Sequence, residues 1–409
     1  MQETFRSVSP GWRLFGGPGA IERHLPETVA RAGARRAFVV CSPSILARTD
    51  IVGRIEAALG ERYAGVFDRI ENDSTFASVQ AARAAAEAAE ADLLIAVGGG
   101  SVLVAVRAVA IFMGEDSDPF ALMTQYPEGG RPFSPRLNAP KPPIVNLPTT
   151  PTSAMNRAGT GLKNPDLDHR MEYFDPKTRP LAVVLDDGAL LSAPPTVLRS
   201  TATTLYAGLI GAIALAPENP LVEGDVLQAF RLAARAYGRI VTAPDDAEVR
   251  RDLALAAFLQ NRAEDDGRQM RSRSVFAGDY AVATALHIRY PAIGQGEATC
   301  AVQAHAIRLA DAVPADEAER AASALGLWRP GMAPKAAAHA VADALEATYR
   351  EIGMPIGLRG LGVVRDALPA IAAETVKNFN ASAGLGRPED RVAQSLAVLE
   401  AAFAAGAAD

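Results

Sequence analysis

One stretch constrains this chain more than any other: Leu93-Leu94-Ile95-Ala96-Val97-Gly98-Gly99-Gly100-Ser101. A short apolar run ends in three glycines and a serine, and a helical pattern follows from Val102 to Met113. Continuous aliphatic residues bounded by turn residues mark a strand buried on both faces, the kind found in parallel sheets. Glycines let the backbone approach a ligand closely, and the N–H groups that open a helix attract phosphate oxygens. Gly98, Gly99, Gly100 and Ser101 are therefore candidate cofactor-binding residues; the alternative is a plain tight turn. The pattern is neither G-x-G-x-x-G nor a P-loop, because no Gly-Lys-Ser/Thr follows.

The same alternation extends through the first half. Residues 36–41, 63–67, 93–97 and 143–148 read as strands, and residues 51–59 and 77–91 as helices. This order predicts an open parallel sheet with right-handed crossovers, with ligands outside the carboxyl ends of its strands. The Pro-rich stretch from Gly114 to Pro143 reads as an irregular surface excursion. Strand candidates at 170–174 and 181–185, joined by Asp175-Pro176-Lys177-Thr178-Arg179-Pro180, read as a hairpin. From Pro194 onward, helical patterns dominate, broken by proline and glycine. A length of 409 residues suits two domains. The expected architecture is an α/β, Rossmann-like parallel-sheet domain over residues 1–190 and an all-helical domain over residues 191–409.

Bulk properties narrow the partners. A net charge of −6 argues against nucleic acid. Neither a membrane-spanning apolar run nor an apolar leader stands out. Two cysteines far apart, Cys41 and Cys300, fit a reducing cytoplasm better than a disulfide framework.

Taken together, the segments resemble the iron-containing (group III) alcohol dehydrogenase superfamily, including maleylacetate reductases and, more distantly, dehydroquinate synthase. Gly17-Pro18-Gly19-Ala20 resembles the family's N-terminal turn, and Ala96 to Ser101 its pyrophosphate loop. Leu147-Pro148-Thr149-Thr150 is similar to its cofactor motif, and Val184-Leu185-Asp186 to the strand end before the helical domain. Glu351-Ile352-Gly353-Met354-Pro355, with Leu358 and Leu361-Gly362-Val363, resembles its C-terminal segment. The resemblance implies a dinucleotide domain, a helical domain, a cleft between them, hydride transfer between a nicotinamide and an alcohol or carbonyl, and a homodimer. It adds Thr149, Thr150 and Thr152 to the cofactor-binding candidates. In metal-dependent members, one Asp and three His hold Fe²⁺ or Zn²⁺, which polarises the substrate oxygen.

This chain departs from that pattern. The positions that match the ligand set are Thr204, Gly208, Gln295 and either Ala281 or Thr284. A divalent cation needs carboxylate, imidazole or thiolate donors, and these residues do not supply them. The five histidines, His24, His169, His287, His305 and His339, are too scattered to rebuild the set, so no metal is expected. After the glycines, Val104 and Arg107 replace the usual Asp and Lys. Ser42 stands where an acid often binds the ribose diol, which leaves both NAD and NADP open. Pro151 to Arg157 is bulkier than the small, Gly-rich segment expected there.

Carbonyl reduction without a metal still needs a proton donor and charge stabilisation on oxygen. The candidates are His287, Tyr206 and Gln295. For each, a plain structural reading competes: a carbonyl-bonded histidine, a packed tyrosine, a space-filling amide. Glu297 and His305 share a helical face, as an active-site stripe or a surface pair. Asn156, Arg157 and Arg170, with Lys163 near the latter two, are candidates for holding a substrate carboxylate, or are solvated charges. Met270 to Ser274 is equally open. The expected activity is NAD(P)H-dependent reduction of a small, carboxylated ketone or enone. The alternatives are a non-redox lyase, isomerase or cyclase on the same scaffold, and a silent binding subunit.

Overall fold

The computed structural model describes residue 7 and residues 11–127, 132–167, 169–217, 219–265, 274–377 and 387–405. Two compact units emerge: Pro10–Pro194 with Asp245–Ala254, and Pro195–Pro244 with Leu255–Asp409, each taken over its described residues.

The first unit holds eight strands: β1 (Arg13–Gly17), β2 (Ala37–Cys41), β3 (Tyr63–Phe67), β4 (Leu93–Gly98), β5 (Ile144–Pro148), β6 (Gly159–Leu162), β7 (Met171–Phe174) and β8 (Ala182–Asp186). Between them lie α1 (Ala20–Arg31), α2 (Pro43–Arg48), α3 (Ile51–Leu59), α4 (Phe76–Ala88), α5 (Gly100–Gly114), α6 (Pro119–Leu122) and α7 (Asp187–Leu191). Six strands form one parallel sheet in the order β1-β8-β5-β4-β2-β3. Every residue of β2, β4, β5 and β8 is buried, which explains their mostly apolar sequences, broken by Asn146 in β5 and Asp186 at the end of β8. One face packs Ile21, Leu25 and Val29 of α1 and Ile51, Ile55 and Leu59 of α3 against Val39, Ile95, Val97, Val145 and Val184. Helix α5 contacts β4 and β5 and is buried on nearly all sides from Val102 to Phe112, so its hydrophobic residues follow no one-sided stripe.

Strand order reverses beside β2: the chain steps from β2 outward to β3, then returns to β4 on the other side. Such a switch point opens a crevice at the strands' carboxyl ends. The register pairs Cys41 with Val97 and Gly98 with Pro148, so Ser42, the glycine turn and Thr149 line one edge.

The 170–174/181–185 hairpin does not form. Strand β7 pairs antiparallel with β6, whereas β8 joins the main sheet between β1 and β5. The reason is burial: Ala182-Val183-Val184-Leu185-Asp186 has no polar face to offer a two-stranded ribbon. Edge strand β1, which carries Gly17 into the following turn, is a further element beyond those read from the sequence.

The second unit is helical: α8 (Pro195–Ala214), α9 (Pro220–Tyr237), α10 (Arg239–Thr242), α11 (Ala247–Asp265, which begins in the first unit), α12 (Tyr280–Arg289), α13 (Gln295–Leu309), α14 (Ala315–Ala324), α15 (Pro334–Glu351), α16 (Leu368–Glu374) and α17 (Pro388–Ala405). Helix α13 packs against α8, α12, α15 and α17. By length and composition, α8 is apolar enough to cross a membrane, although no such run stood out in the sequence. Most of it is buried, and contacts with α9, α13 and α14 account for that apolarity.

Candidate functional site

In the α/β unit, the β4–α5 turn is shaped for close approach. Gly98 has φ +153°, and a Cβ there would lie 2.8 Å from Val102 Cγ2, so no other residue fits. A Cβ on Gly99 would sit 3.5 Å from Thr150 Oγ1, and one on Gly100 would sit 3.0 Å from Thr152 Oγ1. Two glycines thus face two threonine hydroxyls across the opening of α5. Thr149 N–H donates to Gly98 O at 3.0 Å and ties the turns together. Thr152 Oγ1 accepts from Ala154 N–H, but Thr150 Oγ1 is buried with no hydrogen-bond partner. Leaving such a hydroxyl unpaired costs about 1–3 kcal/mol. A phosphate oxygen beside Gly99 would remove that cost, so these residues fit the pyrophosphate of a dinucleotide. Ser42 precedes α2, and its hydroxyl lies 3.1 Å from that of Ser44.

The segment after the threonines is held from below. Arg107, on α5, is fully buried; one of its terminal nitrogens donates to Ala154 O (2.6 Å) and Arg157 O (3.0 Å). Asn146, on β5, donates to Met155 O at 2.8 Å. Among the described residues no carboxylate pairs with Arg107, and its Nε has no partner. Burial, with the charges of Arg157 and Arg179 adding to it, pushes the Arg107 guanidinium down to about 9. It still carries its charge at neutral pH. Arg107 and Asn146 were missed as site residues. A polar residue inside Pro-Ile-Val-Asn-Leu-Pro was the available signal for Asn146.

A third loop flanks the helix start. Asp73 and Ser74 have positive φ (69° and 53°). Asp73 N–H donates to Ser101 Oγ, and Ser74 Oγ donates to Ser101 O. Arg170 forms an ion pair with Asp73, so its charge is balanced. Arg157 donates from Nε to Ser153 O within its own loop. Asn156 is buried beside it, and Lys163 joins the Asp73 loop through its backbone.

In the helical unit, His287 lies in the last turn of α12, with Nδ1 2.6 Å from Ile293 O. A carbonyl only accepts, so Nδ1 carries the proton of that bond. Tyr206 belongs elsewhere. It is 6% exposed, stacks on Tyr237 at 4.4 Å, and burial pushes its phenol up to about 12. Thr204 and Gly208 are half-buried, each two residues from Tyr206 and so on the other side of α8. Gln295 opens α13, and its Nε2 is buried without a partner. The Glu297–His305 stripe divides: Glu297 accepts from Ser200 Oγ at 2.5 Å, while His305 Nε2 bonds Ile356 O at 3.0 Å. Residues 270–273 lie outside the described residues; Ser274 donates to Glu317.

A resident cation does not fit these groups. Among the described residues, no group of three His, Cys, Asp or Glu is arranged to hold a metal ion. The ligand positions carry hydroxyl, amide and glycine, and Thr204 spends its hydroxyl on Ser200 O at 3.3 Å.

With the geometry described, similarity to known proteins adds a second line. Residues 12–187 match the family described as iron-containing alcohol dehydrogenase, and residues 212–401 match its C-terminal family. Maleylacetate reductase 2 of Cupriavidus pinatubonensis is 30% identical over 247 residues, 60% of each chain. With a second reductase of that organism the matched share is 62% of its length, so the similarity spans about three fifths of both. Long-chain-alcohol dehydrogenase 1 of Geobacillus thermodenitrificans is 24% identical over 95% of this chain and 94% of its own. A solved 1,3-propanediol oxidoreductase superposes with TM-score 0.82 at 22% identity, covering 98% of this chain and all of its own.

Proposed function

Because the chain belongs to the iron-containing alcohol dehydrogenase family and is an oxidoreductase of that family, we propose that it reduces a small, carboxylated ketone or enone with NADH or NADPH and without a metal ion. The observation that carries this reading is the unpartnered Thr150 hydroxyl facing Gly99 at the opening of α5. Gly98 to Ser101 and Thr149 to Thr152 would hold the pyrophosphate through backbone N–H groups and hydroxyls. When bound, the nicotinamide supplies the hydride. Ser42 brings no carboxylate to repel a 2′-phosphate, which leaves NADPH acceptable.

Asn156, Arg157 and Arg170 are the residues we assign to a substrate carboxylate; Arg170 also pairs with Asp73. His287 Nε2 is the proton source, its ring held by Ile293 O. The substrate class draws on the maleylacetate reductases among the relatives. The metal-free aspect rests on the donor chemistry at Thr204, Gly208, Gln295 and either Ala281 or Thr284.

The test uses purified full-length protein with and without prior chelation. NADH and NADPH are titrated by fluorescence, then oxidation is followed with maleylacetate and a panel of oxo acids. Expected are nucleotide binding and turnover that chelation leaves unchanged. Activity lost on chelation and restored by Fe²⁺ or Zn²⁺ would refute the metal-free reading; failure to bind either nucleotide would refute the reading as a whole.

A further inference from the structure

Of the buried polar atoms without a partner among the described residues of the helical unit, two lie on neighbouring helices. Thr284, 7% exposed on α12, has its Oγ1 buried with no hydrogen bond. Gln295, the first residue of α13, has its Nε2 in the same condition. Thr284 sits one helical turn before His287, whose Nδ1 bonds Ile293 O, two residues before Gln295. All three therefore belong to the α12–α13 corner, where the two helices pack on each other.

That corner is rigidly built. A Cβ on Gly296 would lie 2.0 Å from Ser200 O, so α13 begins directly on the backbone of α8. Ser200 Oγ accepts from Gly296 N–H at 3.2 Å and donates to Glu297. Thr299 donates to Gln295 O at 2.7 Å. Ser200, Gly296, Glu297 and Thr299 are thus engaged, while the buried amide nitrogen of Gln295 has no partner. Folded proteins rarely leave buried polar atoms unmet, and two at one corner point to a missing acceptor.

We infer that Gln295 Nε2 and Thr284 Oγ1 form a charge-neutral hydrogen-bonding site for one oxygen of the substrate, and so take the place of a polarising cation. This rests on the reading of the protein as a carbonyl reductase. Negative charge develops on the carbonyl oxygen as hydride arrives at carbon. Fixed N–H and O–H donors in a dry corner stabilise that charge without reorganising. An amide and a hydroxyl are poor cation ligands and good oxyanion donors, and the nearby Glu297 carboxylate is taken up by Ser200 Oγ.

Three variants of the full chain test it: Thr284→Val, Gln295→Met and Thr284→Ser. Melting temperature, NADPH affinity, kcat and KM are measured with maleylacetate or whichever oxo acid the wild type reduces. If the atoms await substrate, the two apolar variants melt about 2–4 °C higher because an unmet polar group is gone. NADPH affinity stays within twofold, and kcat falls about 10²-fold with a smaller change in KM. Thr284→Ser keeps the hydroxyl and most of kcat. A fall in melting temperature in either apolar variant, or an unchanged kcat, overturns the inference. Should the wild type reduce no oxo acid, the functional reading fails by itself, and the melting shift alone decides whether these atoms are unmet.

Discussion

Replacing Arg107 with Met separates what this residue does for stability from what it does for binding. Its guanidinium is held down to about 9, well below the ordinary arginine value, which corresponds to about 5 kcal/mol against keeping the charge in the interior. Removing it relieves that cost but leaves Ala154 O and Arg157 O without their donor. Two unpaired buried carbonyls cost about 2–6 kcal/mol together. Methionine fills most of the vacated space, so the opposing contributions largely cancel and stability should change by no more than about 3 kcal/mol. Nucleotide affinity should behave differently. Thr150 and Thr152 belong to the segment that Arg107 anchors, and without the anchor that segment must be ordered during binding. We expect the dissociation constant for NADH or NADPH to rise about 10–100-fold, with Arg107→Lys intermediate because an ammonium reaches fewer carbonyls. Fluorescence titration and thermal melts of the same preparations give both quantities. Unchanged affinity in Arg107→Met would refute the idea that this buried cation shapes the nucleotide loop; a loss of stability beyond about 5 kcal/mol would refute the claim that burial offsets its bonds.

Tyr206 makes a pH prediction. Its buried phenol keeps its proton up to about 12, whereas the unfolded chain releases it from about 10. The native state therefore binds more protons in that window, and stability falls as pH rises from 10 to 12. Tyr206→Phe should lose up to about 3 kcal/mol less across that range in urea melts, and identical pH profiles would contradict the burial. Cys41 and Cys300 are both buried and their thiols are pushed up by it, Cys41 to about 12, so native protein at pH 8 should not react with a disulfide reagent while denatured protein yields two thiols. Rapid labelling of either in the native state would contradict that packing.

Backbone-determined features were legible from residue order. Three glycines after an aliphatic run announced the β4–α5 turn, because only glycine tolerates the φ of Gly98 and the 2.8 Å approach of Val102. Strand pairing was less so. Both β7 and β8 carry strand-forming residues, and local turn chemistry favoured pairing them; the distant partners, β6 for one and β1 and β5 for the other, are set by burial across the sheet. Tyr206 shows the limit for side chains. Its sequence distance from Thr204 and Gly208 is two residues, yet two residues on a helix is about 200°, which turns the ring into the stack with Tyr237. The ion pair of Arg170 was equally hidden, since its partner Asp73 lies almost a hundred residues earlier.

The helical unit suggests why ligand identity can change while the scaffold stays. The α8–α13 contact is made by Ser200 with Gly296 and Glu297: a hydroxyl, a backbone N–H, a carboxylate and the absence of a Cβ. None of these is a residue that matches the family's ligand positions. Thr204 and Gly208 lie half-buried along α8 and contribute one hydroxyl bond between them, from Thr204 to Ser200 O. The packing that fixes the first turn of α13 is thus independent of what residue 295 offers a ligand. Substitution there changes which chemistry the corner can perform without a matching penalty in how the helices meet, so a fold-level match leaves the chemistry to be decided by the side chains themselves.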